Sequence, residues 1–517
     1  MISGVQGSWN RVFCGLAAGS LFTSGRALDR LFAIQEGPSS LWGWSSPRPV
    51  VHFQTAQTQV HPPTRIHQRF QPPEATLFRL DNGLSVWALP RPGLPLVTLS
   101  LAVPFGAAHE PLSLAGLSAL TASMLDEGTR KRTPIELTDE LEGLGASLAV
   151  GTGEDWSEIQ LQVLQPRLQA ALLLLAEILT SPRFAPADFE RNKKLTLNEL
   201  MQREDDPRLV SDVVLRRVFY GEGHPYGHPI EGSPDTVQRV TLATVKGFHH
   251  QIWRPEQATL VLTGPLDPAQ WKLLLASTLG AWKGRPLETP LPVASTMAFQ
   301  PRPRVVVVDR PGATQTTLAL ALPGPTRLNP RYPEWTLLNA VFGGNFTSRI
   351  MQNLREKHGF TYGATSALEA LAQGGALVAT SSVQKEVTGR AVAELVHETR
   401  RLRSGDINEE ELSRSRATLI SDVVRGFETQ ASALSLFTDL ALYGYPPTQL
   451  GRYLSQLESV QVSSLNAFAR EAVRPEQMIL VLVGEAAAIL PQLEGLALPT
   501  PELLDPAGHP VSPRPKG

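Results

Sequence analysis

The sequence predicts an α+β protein made of two homologous α/β-sandwich halves, each a sheet with helices on one face, joined by a linker. Three observations carry this. Arg91-Pro92-Gly93 followed by Thr98-Leu-Ser-Leu-Ala-Val-Pro104 recurs as Arg310-Pro311-Gly312 followed by Thr317-Leu-Ala-Leu-Ala-Leu-Pro323, an offset of 219. Arg254-Pro-Glu-Gln257 and the apolar run ending at Gly264 recur as Arg474-Pro-Glu-Gln477 and the run ending at Gly484, an offset of 220. Two separated matches at nearly one offset mean a duplicated unit of domain size. Between the copies, Pro286 to Arg304 is rich in proline and small residues, as a linker is.

These signals divide the chain into an N-terminal lead (1–73), a first half (74–285), a linker (286–301), a second half (302–498) and a flexible tail (499–517). At 517 residues it exceeds what one hydrophobic core organises. A net charge of −2 gives no electrostatic reason to invoke nucleic acid. The single cysteine, Cys14, excludes an intrachain disulfide and a cysteine metal site. No apolar run reaches the ~18 residues of a transmembrane helix. Arg11, the apolar stretch Val12 to Phe22 and Gly25-Arg-Ala27 read as a short signal peptide within residues 1–27, which points to the periplasm or cell envelope. The lack of acids before Asp29 also suits an organelle transit peptide, and without a leader the chain is cytoplasmic.

Each half runs strands, helix, strands, helices, strand, the order of an α+β layer structure. Asp81-Asn82-Gly83 between Leu77–Leu80 and Leu84–Leu89 is a hairpin signal. Leu114–Leu125 has apolar residues at helical spacing, with Ser113 as N-cap and Gly128 as stop. Leu168–Leu179 is apolar nearly all round and reads as a buried helix. Pro186–Met201 is a charged helix opened by proline, with Asp188, Glu190, Lys193 and Lys194 in solvent. Ala391–Leu402 and Asn408–Val424 are the counterparts of these two helices. A helix over Ser348–Lys357 would stop at Gly359 and give way to a strand at Phe360. Arg355 then lies in the last helical turn and Tyr362 near the strand start, both able to face one cleft.

The Leu114–Leu125 stretch resembles the helix of the pitrilysin/insulinase-like metallopeptidases that bears the inverted zinc motif His-x-x-Glu-His. The family's stretch reads Gly-Leu-Ala-His-x-x-Glu-His-Met; Gly116, Leu117 and Met124 match, and the three chemical positions fall on Ala119, Ala122 and Ser123. A methyl group neither ligates zinc nor activates water, and a serine hydroxyl is a poor ligand. The resemblance covers residues 74–490 and implies a clam-shell half. It also places Glu199 at the family's third ligand position, an orphan without its imidazoles and expected in solvent. No other histidine cluster replaces them. Pro225, Gly227 and Pro229 break the helix that would make His224 and His228 a pair, so packing is their expected role. His249 and His250 are expected to point apart, and His109-Glu110 faces the motif cavity alone. The chain is therefore expected to hold no metal.

Arg355 and Tyr362 resemble the family's Arg/Tyr pair, at the same spacing, which contacts substrate from the second half. A guanidinium donates to peptide carbonyls, and a phenol can donate to an oxygen gaining charge. The bland reading is a helix-end arginine favoured by the dipole and a tyrosine chosen for strand propensity. Arg349, Gln315 and Asn345 are further candidates for the cleft. Gly343-Gly344 is too short for a phosphate loop and reads as a close backbone approach. Some bacterial members work as heterodimers in which one subunit carries His-x-x-Glu-His and the other the Arg/Tyr pair. The resemblance thus implies a catalytically inactive accessory subunit that binds peptide while zinc sits only in the partner. The alternative is a non-enzymatic structural or peptide-binding protein, like the non-catalytic subunit of a processing peptidase or a respiratory core protein.

Overall fold

The first strands among the described residues form the hairpin that Asn82-Gly83 predicts. β1 (Thr76–Arg79) and β2 (Ser85–Pro90) pair antiparallel, and Gly83 takes φ 93°, which a side chain would resist. The Asn82 amide ties the turn to the carbonyls of Leu279 and Trp282 at 2.9 and 3.0 Å. The computed structural model describes residues 70–284 and 301–511. Cys14, the leader-like segment and nearly all of the proline-rich linker lie outside the described residues.

The first sheet adds β3 (Leu96–Val103), β4 (Ser147–Thr152), β5 (Ser157–Leu164) and β6 (Thr259–Gly264) in the order β1-β2-β6-β3-β5-β4. The second contains β7 (Arg304–Asp309), β8 (Gln315–Pro323), β9 (Ala364–Ala370), β10 (Gly375–Gln384), β11 (Ile479–Gly484) and β12 (Glu502–Leu504). Its order is β12-β7-β11-β8-β10-β9. The sequence repeats land on β3 and β8 and on β6 and β11, which hold equivalent places. The parallel pairs β2–β6 and β7–β11 are equivalent too. Only the outermost place differs, filled by β1 in one sheet and β12 in the other. The tail, expected to be frayed from Pro499, therefore closes a sheet: Leu504 is buried and pairs beside β7.

One face of each sheet carries helices of its own half. Leu99, Leu101, Leu260 and Leu262 pack under Leu168–Thr180, with Trp271 filling the end. That helix is less enclosed than expected, since Leu173 is half exposed. Leu318, Leu320, Leu480 and Leu482 pack under Thr388–Ser404 in the second half. The charged helix spans Pro186–Arg203, but Asp188 is buried against Arg191 and Arg183 rather than solvated. Lys193 donates to the carbonyls of Gln238 and Val240.

The other side of each sheet is covered as well, by a helix from the opposite half. Val306, Val308, Ala319, Val481 and Val483 are as buried as their neighbours, beneath Val210, Val214 and Phe219 of Pro207–Tyr220. That helix belongs to the first half. In return Gln430–Leu442 of the second half lies across β3 and β6. Gln430 accepts from Thr98 Oγ1 at 3.0 Å and donates to the Leu96 carbonyl at 3.2 Å. A strand apolar on both faces needs two coats, and each half lends one to the other. The repeated Arg-Pro-Gly motif fastens this exchange. Arg91 donates to the carbonyls of Phe427 and Glu428, in the turn before Gln430–Leu442. Arg310 donates to those of Glu204 and Asp205, in the turn before Pro207–Tyr220.

Charged groups also cross between the halves. Asp155 accepts from Tyr226 Oη (2.6 Å), the Ala372 amide (2.8 Å) and Tyr443 Oη (3.1 Å). Arg216 pairs with Glu154 at 2.9 Å and Asp212 at 3.1 Å, and lies 3.8 Å from Glu369 on β9. Burial pushes the Glu369 carboxyl up to about 7, against the pull of Arg216 and with repulsion from Asp212 and Glu154 adding to the rise. Its folded pKa lies above the unfolded value of 4.5, so stability present at low pH is lost as pH rises to about 7. Glu369→Gln removes that loss. Relative to wild type the variant should gain about 2 kcal/mol between about pH 5 and pH 8, read from urea midpoints. An equal difference at both pH values would contradict the assignment.

Candidate functional site

The motif helix is shorter than its sequence pattern. It spans Leu117–Ser123, because Leu112–Leu114 forms a 3-10 turn and Gly116 sits at φ 100°, where a Cβ would strike the Glu231 carbonyl. Ser113 does not cap it. The cap is Glu110, whose carboxylate accepts from the amides of Gly116 (2.7 Å) and Ser118 (2.6 Å). Burial raises the Glu110 carboxyl to about 8, although the amides pull it down. Gly128, expected as the stop, is not it: the helix ends at Ser123 with Met124 as its cap, and Gly128, at φ 87°, turns the chain four residues later.

Ala119 and Ser123 stand four residues apart on one helix face, and Ala122 is buried. The Ser123 hydroxyl donates back to the Leu120 carbonyl at 3.0 Å, the usual use of serine inside a helix. Glu199 is exposed on Pro186–Arg203. Two methyl groups, a hydroxyl committed to backbone and a solvated carboxylate do not fit zinc, which takes imidazole, thiolate or carboxylate ligands in a closed set. Among the described residues no group of three His, Cys, Asp or Glu side chains is arranged to hold a metal ion.

The histidines have other work. His109 ends the 3-10 turn Ala107–His109, accepts from the Gly106 amide at 3.2 Å and packs edge-on against Phe105. Burial lowers its pKa. His224 accepts from the Tyr226 amide at 3.0 Å and stacks on Tyr220, the packing role expected of it. His249 and His250 do not point apart: at the end of Leu242–Ile252 their Nδ1 atoms approach to 3.4 Å.

The second-half motif is built around a tight loop after the helix Tyr332–Phe342. A Cβ on Gly343 would strike Ser366 and Ile350, so only glycine lets this loop pass β9. The Ser366 amide donates to the Gly343 carbonyl at 2.9 Å. Asn345 stays in the loop: its amide donates to the Ala340 carbonyl and its Oδ1 accepts from the Thr347 amide and hydroxyl. Arg349 leaves the cleft as well. Its side chain is 5% exposed and grips Asp406 at 2.6 Å and Glu411 at 2.7 Å. Gln315 is exposed at the start of β8, paired in register with Gln384 of β10.

The predicted helix begins at Arg349–Met351 and continues as a π-helical turn, Gln352–Lys357, in which the His358 amide reaches the Asn353 carbonyl five residues back. Such turns are frequent at functional sites. Arg355 lies in this turn, with its guanidinium 4.8 Å from the Phe346 ring centre and its Nε 3.4 Å from Glu356. Gly359 stops the helix at φ 63°, as expected. The strand starts at Ala364 rather than Phe360, because Thr361 folds the chain into a turn by accepting from the Gly363 amide and donating to the Ser382 carbonyl. Tyr362 rides on that turn, 94% exposed. Arg355 and Tyr362 thus flank one short connection leading into β9, the edge strand of the second sheet. Phe346, itself 60% exposed, has no place in the sequence-based site; the visible signal was an aromatic directly after Gly-Gly-Asn.

Residues 89–231 match the family model described as insulinase (peptidase family M16), and residues 239–419 match the peptidase M16 inactive domain. An uncharacterized zinc protease of Mycobacterium tuberculosis is 27% identical over 395 residues, covering 76% of this chain and 89% of its own. One from Rickettsia bellii is 23% identical over 419 residues, covering 80% and 97%. Among solved structures, a peptidase M16 inactive domain from Pseudomonas fluorescens superposes with TM-score 0.74 at 23% identity, over 80% of this chain and 98% of its own. A protease from Helicobacter pylori gives TM-score 0.75 at 20% identity, over 80% and 99%. At these identities the structural likenesses establish the two-sheet fold.

Proposed function

Because the chain belongs to the pitrilysin/insulinase-like family of M16 peptidases, we propose that it is a catalytically inactive subunit that lends peptide-holding residues to a zinc-bearing His-x-x-Glu-His partner. The observation that carries this is the contrast between its two halves. Where the family has ligands and base, this chain has Ala119, Ala122 and a Ser123 hydroxyl turned back on its own helix. Where the family grips substrate, Arg355 and Tyr362 are present and open to solvent. The guanidinium offers several N–H donors in fixed geometry to peptide carbonyls, and the phenol one more. Oriented donors assist peptide cleavage wherever charge develops, even when they and the metal come from different chains. The zinc-protease names of the relatives describe those proteins, and such activity reaches this chain only through its partner.

The test mixes the purified chain with a His-x-x-Glu-His subunit encoded in the same genome and follows an internally quenched fluorogenic peptide. The mixture is expected to exceed the summed separate rates by about 10²-fold. The chain alone is expected to carry far less than stoichiometric zinc and to show no chelator-sensitive hydrolysis. A mixture no faster than the zinc subunit alone would favour the non-enzymatic, peptide-binding role.

A further inference from the structure

Phe346, like Tyr362, is a large aromatic that the fold leaves exposed. It stands at the tip of a loop whose other residues are tied down: Gly344 through its amide to the Asn339 carbonyl at 2.7 Å, Asn345 to Ala340, and Thr347 to Asn345. The loop is pinned against β9 by Gly343, where no side chain fits. A rigid loop therefore presents a 60% exposed phenyl ring. Arg355 stands over the ring, with Cζ 4.8 Å from its centre. Among the described residues the guanidinium's charged neighbour is the half-exposed Glu356 carboxylate, 3.4 Å from its Nε. A flexible arginine so loosely held would sample many rotamers in solvent. A ring face attracts the cation and restricts it to one plane, leaving its terminal N–H groups to donate outward.

We propose that Phe346 is a positioning and specificity residue of the peptide site: one face of its ring sets the pose of Arg355, and the exposed remainder forms a subsite for an apolar or aromatic peptide side chain. This rests on the reading of Arg355 as a peptide-holding residue. The chemistry favours an apolar occupant. An apolar side chain removes phenyl surface from water, whereas an acidic one would have to give up hydration beside the ring to reach the guanidinium. The same residue thus couples backbone capture by Arg355 to side-chain choice beside it.

The experiment uses the full chain reconstituted with the zinc-bearing subunit and two internally quenched peptides differing at one position, phenylalanine in one and aspartate in the other. Phe346→Ala should raise KM for the phenylalanine peptide about three- to tenfold and erase most of the preference between the peptides. The melting temperature should not move, because the ring is exposed. Phe346→Tyr, which keeps the π face, should behave as wild type. Phe346→Leu should keep the peptide preference while raising KM for both peptides, separating the apolar subsite from the cation–π contact. If Arg355→Ala raises KM but Phe346→Ala and Phe346→Leu leave both peptides unchanged, the proposal is wrong and the accessory-subunit reading survives. If Arg355→Ala itself has no effect, that reading falls and this proposal falls with it.

Discussion

Arg349→Met is expected to lower the free energy of unfolding by about 3 kcal/mol while leaving KM for peptide unchanged in the reconstituted pair. Arg349 is held between Asp406 and Glu411, and its side chain is almost wholly enclosed. Methionine fills the aliphatic volume but leaves both carboxylates facing the gap. The Glu411 side chain is 16% exposed, and it also accepts the Asn408 amide at the start of Glu409–Arg425. Asp406 retains Arg401 as a partner, which is why the effect is placed at the lower end for a broken buried pair. Both acids lie below their usual pKa, opposing the rise that burial alone would give, because Arg349 stays with them. Chemical denaturation reads the change. A loss under about 0.5 kcal/mol would mean that water already serves these carboxylates.

Arg355→Ala should do the reverse. Its side chain is over one third exposed and its ion pair with Glu356 spans 3.4 Å, so stability should move by no more than about 0.5 kcal/mol. The kcat/KM of the reconstituted pair should fall about 10²-fold, the effect of losing an oriented donor. Tyr362→Phe removes a single hydroxyl from a 94% exposed ring and should cost about tenfold. If Arg355→Ala instead shifted the melting temperature and spared the rate, the helix-end reading of this arginine would stand. The two arginines lie six positions apart, on Arg349–Met351 and in the π-helical turn that follows, yet they are expected to fail in opposite assays.

Sequence patterns revealed the duplication, the hairpin at Asn82-Gly83 and the glycine stop at Gly359, because each depends on local chemistry. The exchange of Pro207–Tyr220 and Gln430–Leu442 was not legible. An amphipathic stripe records that a helix covers something, not which sheet it covers. Arg349 was a candidate for the cleft, and only the tertiary placement of Asp406 and Glu411 draws it inward. The start of β9 slipped from Phe360 to Ala364 because Thr361 forms a side-chain turn that competes with the strand. The tail strand β12 was hidden because its partner, β7, is distant in sequence. Phe346 stayed hidden because an aromatic residue alone does not announce a neighbouring guanidinium.

The crossed helices have a consequence for how this polypeptide can change over time. A substitution on Pro207–Tyr220 must suit β8 and β11, and one on Gln430–Leu442 must suit β3 and β6, so neither copy of the ancient duplication drifts alone. The positions that the resemblance sets against the zinc motif are under no such bond. Ala119 and Ser123 shape no exchanged surface, and Glu199 faces solvent. Side chains at that spot can change while the mutual scaffold around them is held in place from both halves of the chain.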